Sequence, residues 1–379
     1  MRITGIEVIE LRVPGWKAQS FDGSYDNCVV QVHTEAGVTG IGEVDSVPTV
    51  IRAIIEAPAS HVHARGLREL LVGRDAADVE GLWQLMYEAT SYYGRRGVVI
   101  HAIGAIDIAL WDIRAKAAGR PLAEMLGKKR RDRVKAYGTV YPLGETPEDV
   151  RRNIDRGLGL GLRAIKICAE RSWRDDFSKA ERLIRLTREH VGPAVDLMID
   201  AAGAWDIPEH GLPLMPVLRD CGFLWVEAPL PLDDIAGHAR FQGFGVPIGG
   251  GDLGLTTSFE YGELFERGKV DIAQPDVTMV GGLTGLKRIA ALAGNAGKRV
   301  VPHGYKSNIT IACNLAFLAQ HASEEMLEYS TSRSPLRWEL TLEEIAVGDD
   351  GTVAVPLAPG LGVTLNPKAL QRYRSTHGS

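Results

Sequence analysis

The first forty residues alternate apolar and polar positions. Residues 3–13, then 28–33, and 38–43 after a Gly-containing turn, read as the half-buried strands of an antiparallel meander. From about residue 47 to 126 the period changes to that of helices. The clearest spans 98–118, where Ala102, Ile106, Ala109, Leu110 and Ile113 recur at helical spacing before Gly119 and Pro121 stop it. Strands followed by helices predict an α+β unit over 1–130. After Lys135 the pattern changes again, into eight short β-rich runs with room for a helix between most neighbours. They are KAYGTVYP, RAIKICAE, VDLMIDAAG, FLWVEAPL, PIGGGDL, DIAQPDV, RVVPHGY and MLEYS. This predicts a parallel (β/α) barrel over 131–354. The tail, 355–379, is expected to return to the first unit.

A polar residue able to do chemistry sits late in seven consecutive runs: Lys166, Asp200, Glu227, Asp252, Asp276, His303 and Glu328. The steps between them are 34, 27, 25, 24, 27 and 25 residues. One strand-helix unit per step brings these side chains together at the carboxyl ends of the strands, where barrel enzymes keep their active sites.

Three carboxylates on successive strands, Asp200, Glu227 and Asp252, repel one another unless a hard cation lies between them, and an oxygen-only donor set favours Mg²⁺ over zinc. Taken singly, each acid reads equally well as a solvated strand-end residue. Asp276 and His303, on neighbouring strands, are placed to pair, which makes the imidazole a general base. Lys166 and Cys168 share the inward face of one strand, with Ile165 and Ile167 turned to the helices. An inward lysine either neutralises a bound carboxylate or works as an acid or base with a depressed pKa. Cys168 reads first as a small barrel-filling residue. A neighbouring metal and Lys166 would lower its thiol pKa.

Composition narrows the functional classes. With 43 Lys plus Arg against 48 Asp plus Glu, net charge −5, the chain lacks a basic footprint, and nucleic acid is not an expected partner. Cys28, Cys168, Cys221 and Cys313 form no Cys-x-x-Cys pair, which fits a reducing compartment. The chain shows no signal-like start and no apolar run of membrane-spanning length, so a soluble, cytoplasmic protein is expected, without a membrane partner.

The helix signature AIDIALWDIRAKAAGRPLAEMLG, the strand with Lys166, the acid trio, the QPD and PHG runs and Glu328 together make the sequence resemble the enolase superfamily, in its mandelate racemase branch. The resemblance covers nearly the whole chain. It implies a capping domain plus a modified barrel, (β/α)7β, with Mg²⁺ on the three acids and abstraction of the proton α to a substrate carboxylate to give a metal-stabilised enediolate. It implies that His303 with Asp276 is a base, that Lys166 is electrostatic or accessory, and that a protonated Glu328 donates to the substrate carboxylate. The cap would set specificity through the loop 16–25, with Lys17 and Tyr25 as substrate contacts. Relatives of this kind assemble as dimers or octamers, so a homo-oligomer is expected.

Three departures bear on the reaction. The branch usually carries Lys-x-Lys on the second strand, where this chain has Lys166-Ile167-Cys168. Its usual Asp-x-Asn becomes Asp200-Ala201-Ala202, and Asp252 stands where Glu is common. Racemisation needs an acid and a base on opposite faces, so the lost lysine argues for dehydration of a sugar acid to a 2-keto-3-deoxy acid, which one His can serve. The alternatives are an epimerase or sugar-lactone cycloisomerase sharing the same half-reaction, or a carboxylate-binding protein without turnover.

Overall fold

The computed structural model describes residues 1–16, 22–321 and 324–375. Strands β1 (Ile3–Arg12), β2 (Asp26–Thr34) and β3 (Thr39–Val44) pair antiparallel in that order, with Val8 opposite Val30 and Cys28 opposite Val44. The alternation read from sequence places Val8, Val30 and Val32 in the core. The helix Val98–Ala117 lies directly on β3. A Cβ at Gly42 would fall 1.9 Å from the Ala105 carbonyl oxygen, and one at Gly40 2.0 Å from that of Ala109. Only glycine permits that approach.

This helix is buried on nearly every side because it is sandwiched between the small sheet and the barrel. Its far side meets the helix Gly282–Asn295, where Trp111 Nε1 donates to Thr284 Oγ1 (3.1 Å) and Asp107 Oδ2 accepts from the Thr284 amide (2.9 Å). Burying Trp111 and the isoleucines around it contributes about 1.5–3 kcal/mol per side chain, so the two units are joined by a continuous apolar seam.

Eight parallel strands follow: β4 (Arg133–Val140), β5 (Ala164–Cys168), β6 (Asp196–Asp200), β7 (Phe223–Glu227), β8 (Ile248–Gly250), β9 (Ile272–Ala273), β10 (Arg299–Val300) and β11 (Leu327–Ser330). Their order is β10-β9-β8-β7-β6-β5-β4-β11, with β12 (Thr352–Ala354) antiparallel on the outside of β4. The expected cap plus (β/α)7β barrel is the observed architecture. Between β10 and β11 side chains take over from the ladder. The Gly304 amide donates to Glu328 Oε2 (3.0 Å) at one end, and Arg299 pairs with Glu325 (2.8 Å) at the other.

Alternation along the strands divides the barrel residues. Ile165, Ile167, Leu197, Ile199 and Val226 join the outer core beneath the helices. Tyr137, Ala164, Met198, Trp225, Ile272, Val301 and Met326 form a separate cluster that fills the interior. The next inward positions, Lys166, Asp200 and Glu227, therefore sit one layer higher, towards the mouth. The tail reaches the cap: Leu122 N donates to the Gly360 carbonyl (2.8 Å) and Ser375 N to that of Glu10 (2.8 Å). Among the described residues, no helix is long and apolar enough to cross a membrane, and all four cysteines are buried free thiols.

Candidate active site

The seven spaced residues do meet at one end of the barrel. Asp200 and Glu227 are the last residues of β6 and β7, Asp252 lies two past β8, and Asp276 and His303 follow β9 and β10 and are joined by a backbone bridge. Above them opens a cavity of about 550 Å³. Cys168, Asp200, Asp252, His303 and Glu328 line it from the barrel, and Asp22, Gly23 and Asp45 from the cap.

His303 Nδ1 lies 2.7 Å from Asp276 Oδ2, and Asp276 Oδ1 accepts from the amide and hydroxyl of Thr278, both at 2.7 Å. Asn314 fixes the His303 carbonyl (2.9 Å). The ring is thus oriented with Nε2 as its working nitrogen, 3.8 Å from Glu328 Oε2. Burial opposes the imidazolium, but Glu328 and the Asp276 bond outweigh it and hold the His303 pKa well above its ordinary value.

Lys166 is fully buried, with Nζ 2.9 Å from Glu328 Oε1, 3.5 Å from Asp200 Oδ2 and bonded to Glu227 Oε1. Burial pulls its pKa down, yet Glu227 and Glu328 raise it well above the ordinary value. This reverses the depressed pKa that was one of two readings from sequence. The lysine neutralises carboxylates from beneath and is not part of the cavity wall. Glu328 also departs from expectation. Although burial favours its neutral form, Lys166 and His303 hold its pKa below the usual carboxylate range. Ionised, it accepts from Thr139 Oγ1 and the Gly304 amide and has no proton to donate. Cys168 faces the cavity as read. Its thiol is pushed well up by burial and then by Asp200, with Lys166 opposing, which agrees with the first reading of a small barrel-filling residue.

The three acids differ in how they are satisfied. Asp200 Oδ1 accepts from the Ala202 amide (2.9 Å). Glu227 is held by Lys166, Gln274 and Trp225 Nε1 (3.3 Å). Among the described residues, Asp252 Oδ1 is buried without a hydrogen-bond partner. Burial, with Asp200 close by, raises the pKa of both Glu227 and Asp252, although Lys166 opposes it. Among the described residues, no three His, Cys, Asp or Glu side chains are gathered tightly enough to form a metal cage as they stand, since Glu227 is turned to Lys166. The chemistry of the set fits Mg²⁺ all the same: three hard oxygen donors at successive strand ends, one with an unsatisfied buried oxygen.

On the cap side, Lys17 lies outside the described residues. Tyr25 stacks on Trp16 with ring centroids 5.4 Å apart and is not in the cavity wall, which instead takes Asp22 and Gly23 from the same loop. Sequence reasoning missed Asp45, Tyr305 and Lys306. Asp45 and Tyr305 line the cavity, and Lys306 binds Asp45 at 3.0 Å. The one local hint was position, because Tyr305 and Lys306 directly follow the His303-Gly304 pair.

Comparison with known proteins agrees with this geometry. Residues 12–127 match the Mandelate racemase / muconate lactonizing enzyme N-terminal domain, and 147–369 match the Enolase C-terminal domain-like family. The chain is 30% identical over 360 residues to the D-galactarolactone cycloisomerase of Agrobacterium fabrum, covering 91% of this chain and 90% of the relative. It is 30% identical over 354 residues to the arabinonate dehydratase of Saccharolobus solfataricus, covering 91% and 89%. A solved racemase structure from Streptomyces coelicolor A3(2) with bound magnesium superposes with a TM-score of 0.85 at 27% identity, covering 98% of this chain and 100% of that one. With both halves of the chain matched and the dyad and strand-end acids in place, this protein belongs to the mandelate racemase / muconate lactonizing enzyme family of the enolase superfamily.

Proposed function

We propose that the protein is an acid-sugar dehydratase that removes the proton α to the carboxylate of a sugar acid and expels the β-hydroxyl as water, leaving a 2-keto-3-deoxy acid. The observation that carries this reading is the asymmetry of the cavity. One wall holds the oriented His303–Asp276 pair, and another holds Cys168, whose thiol is kept protonated. Inversion at the α carbon needs a proton carrier on each face, whereas elimination is served by one.

In this reading the neutral ring of His303, present above its raised pKa, takes the α proton at Nε2, and Asp276 steadies the imidazolium that forms through Nδ1. The same Nε2–H then protonates the departing β-oxygen, so that the α C–H and β C–O bonds break, water leaves, and the enol product tautomerises to the ketone. Asp200, Glu227 and Asp252 would hold Mg²⁺, which supplies Lewis acidity to the substrate carboxylate when bound. Lys166 offsets the charge of Glu227 and Glu328 below the reacting atoms. Relatives named as dehydratases support the class, and the racemase with bound magnesium supports the metal.

A sugar-lactone cycloisomerase is the second reading, favoured by the likeness to D-galactarolactone cycloisomerase. Incubation with Mg²⁺ and separate pools of aldonic acids, aldaric acids and lactones in D₂O, followed by proton NMR, distinguishes them. Upfield methylene signals from the free acids are the expected outcome. Ring opening confined to the lactones moves the answer to cycloisomerase, and α-deuteration without elimination moves it to epimerase. Mg²⁺-dependent binding without any exchange makes the protein a carboxylate binder. Cytoplasmic location and a dimeric or octameric assembly go with this reading and are checked by fractionation and light scattering.

A further inference from the structure

Lys306 stands three residues past His303 and is only 2% exposed, yet the proposed reaction gives it no task. A buried ammonium has three protons that need acceptors. Three acceptors from the cap meet it: Asp45 Oδ1 at 3.0 Å, the Gly23 carbonyl, and the Asp26 carbonyl at 3.2 Å. The adjoining Tyr305 carbonyl accepts from Ser24 Oγ (2.9 Å). From the loop after β11, Ser332 Oγ donates to Asp22 Oδ2 and Ser334 Oγ to the Ser24 carbonyl, both at 2.7 Å. Segment 22–26 is therefore gripped from two barrel loops. Asp45, the ion-pair partner, is itself tied to the dyad: its amide donates to Thr278 Oγ1 (3.1 Å), which donates to Asp276 Oδ1.

We propose that Lys306 is a positioning residue whose ammonium seats the cap segment 22–26 against the loop carrying His303, so that Asp22 and Gly23 fix the register of the substrate relative to His303 Nε2. The inference rests on the reading of this cavity as the sugar-acid site. The convergence of two carbonyls and a carboxylate suits a compact ammonium and not the planar fork of an arginine. Gly23, Asp22 and Asp45 face the same cavity as His303, so displacing the segment changes binding before it changes the proton transfer.

The test is Lys306→Met in the full-length protein, with two readouts. Amide hydrogen exchange of 22–26 should rise at least about tenfold over wild type while exchange in β5–β7 stays unchanged. KM for the sugar acid turned over by the wild type should rise about tenfold, with kcat changed less than about threefold. Should that variant not fold, Ser24→Ala removes one neutral tie of the same segment and should move both readouts in the same direction by a smaller factor. Unchanged exchange in 22–26, or a fall in kcat at constant KM, overturns the proposal. If the wild type processes no sugar acid, the functional reading fails on its own, and the exchange measurement still decides whether Lys306 seats the segment.

Discussion

Buried carboxylates occupy two regions of this molecule, the seam between cap and barrel and the barrel mouth, and their surroundings differ. At the seam, Glu43 is wholly buried and accepts from the Ser307 amide (3.3 Å), the Thr310 amide (3.1 Å) and hydroxyl (2.6 Å), and Asn27, anchoring β3 to the start of the helix Asn308–Leu318. Asp112 accepts from the Ile41 and Leu361 amides and from Lys116. At the mouth the acids sit beside one another, and among the described residues Asp252 keeps an oxygen without a partner. Backbone donors satisfy a charge permanently, whereas an unsatisfied cluster is stable only with something added. The contrast is between seam acids such as Glu43 and Asp112, each tied to backbone donors, and mouth acids clustered beside one another.

The strongest way to break the comparison is at the dyad. His303→Asn should lower kcat by about 10³-fold and abolish α-deuterium exchange, and Asp276→Asn should lower kcat by about 10²-fold, both with unchanged circular dichroism. A His303→Asn protein that still exchanges the α hydrogen would move the base elsewhere in the cavity.

The next effect is on stability, and the two regions should respond with opposite sign. Glu43→Gln leaves buried donors poorly matched and should cost about 2 kcal/mol in urea unfolding. Asp252→Asn relieves repulsion and should stabilise the metal-free protein by about 1 kcal/mol while removing activity. Saturating Mg²⁺ should stabilise the wild type by about 2.7 kcal/mol at a hundredfold excess over Kd and leave Asp252→Asn unmoved. If both substitutions destabilise alike, the distinction between the regions collapses.

What the sequence revealed follows the same division. Seven mouth residues were legible because each recurs once per strand-helix unit, and a spacing near 25 survives even where β9 and β10 shrink to two residues each. Their protonation was not legible, since it depends on how many charges converge from other strands. Lys166 meets three carboxylates, which favours charge neutralisation over the acid-base alternative, and the same contacts help ionise Glu328. Lys306 left no pattern, because two of its partners are backbone carbonyls some 280 residues away in sequence. Tyr25 and Asp22 lie within one short turn, and only the fold shows which of them faces the cavity.

Asp107 tests the seam more finely. It accepts from the Thr284 amide, but among the described residues its other oxygen is buried without a partner, and burial raises its pKa from 3.8 to about 7. The folded state therefore holds this proton more tightly than the unfolded chain. The associated stabilisation is fully present below pH 3.8 and is lost as pH rises through about 7. Asp107→Asn should consequently gain on the wild type in unfolding free energy between pH 5 and pH 8. A constant difference across that range would mean the carboxyl is ionised throughout.

The smallest expected effect concerns Cys168, and it bears most directly on the choice of reaction. A thiol held protonated by burial and Asp200 can neither remove an α proton nor balance charge in the way a lysine does. Cys168→Ala should therefore keep kcat/KM within about tenfold of wild type, the change reflecting lost packing against the substrate. A loss of about 10³-fold would show instead that the thiol acts as the second proton carrier. Two-faced chemistry would then be open to this cavity, and the epimerase reading would displace elimination.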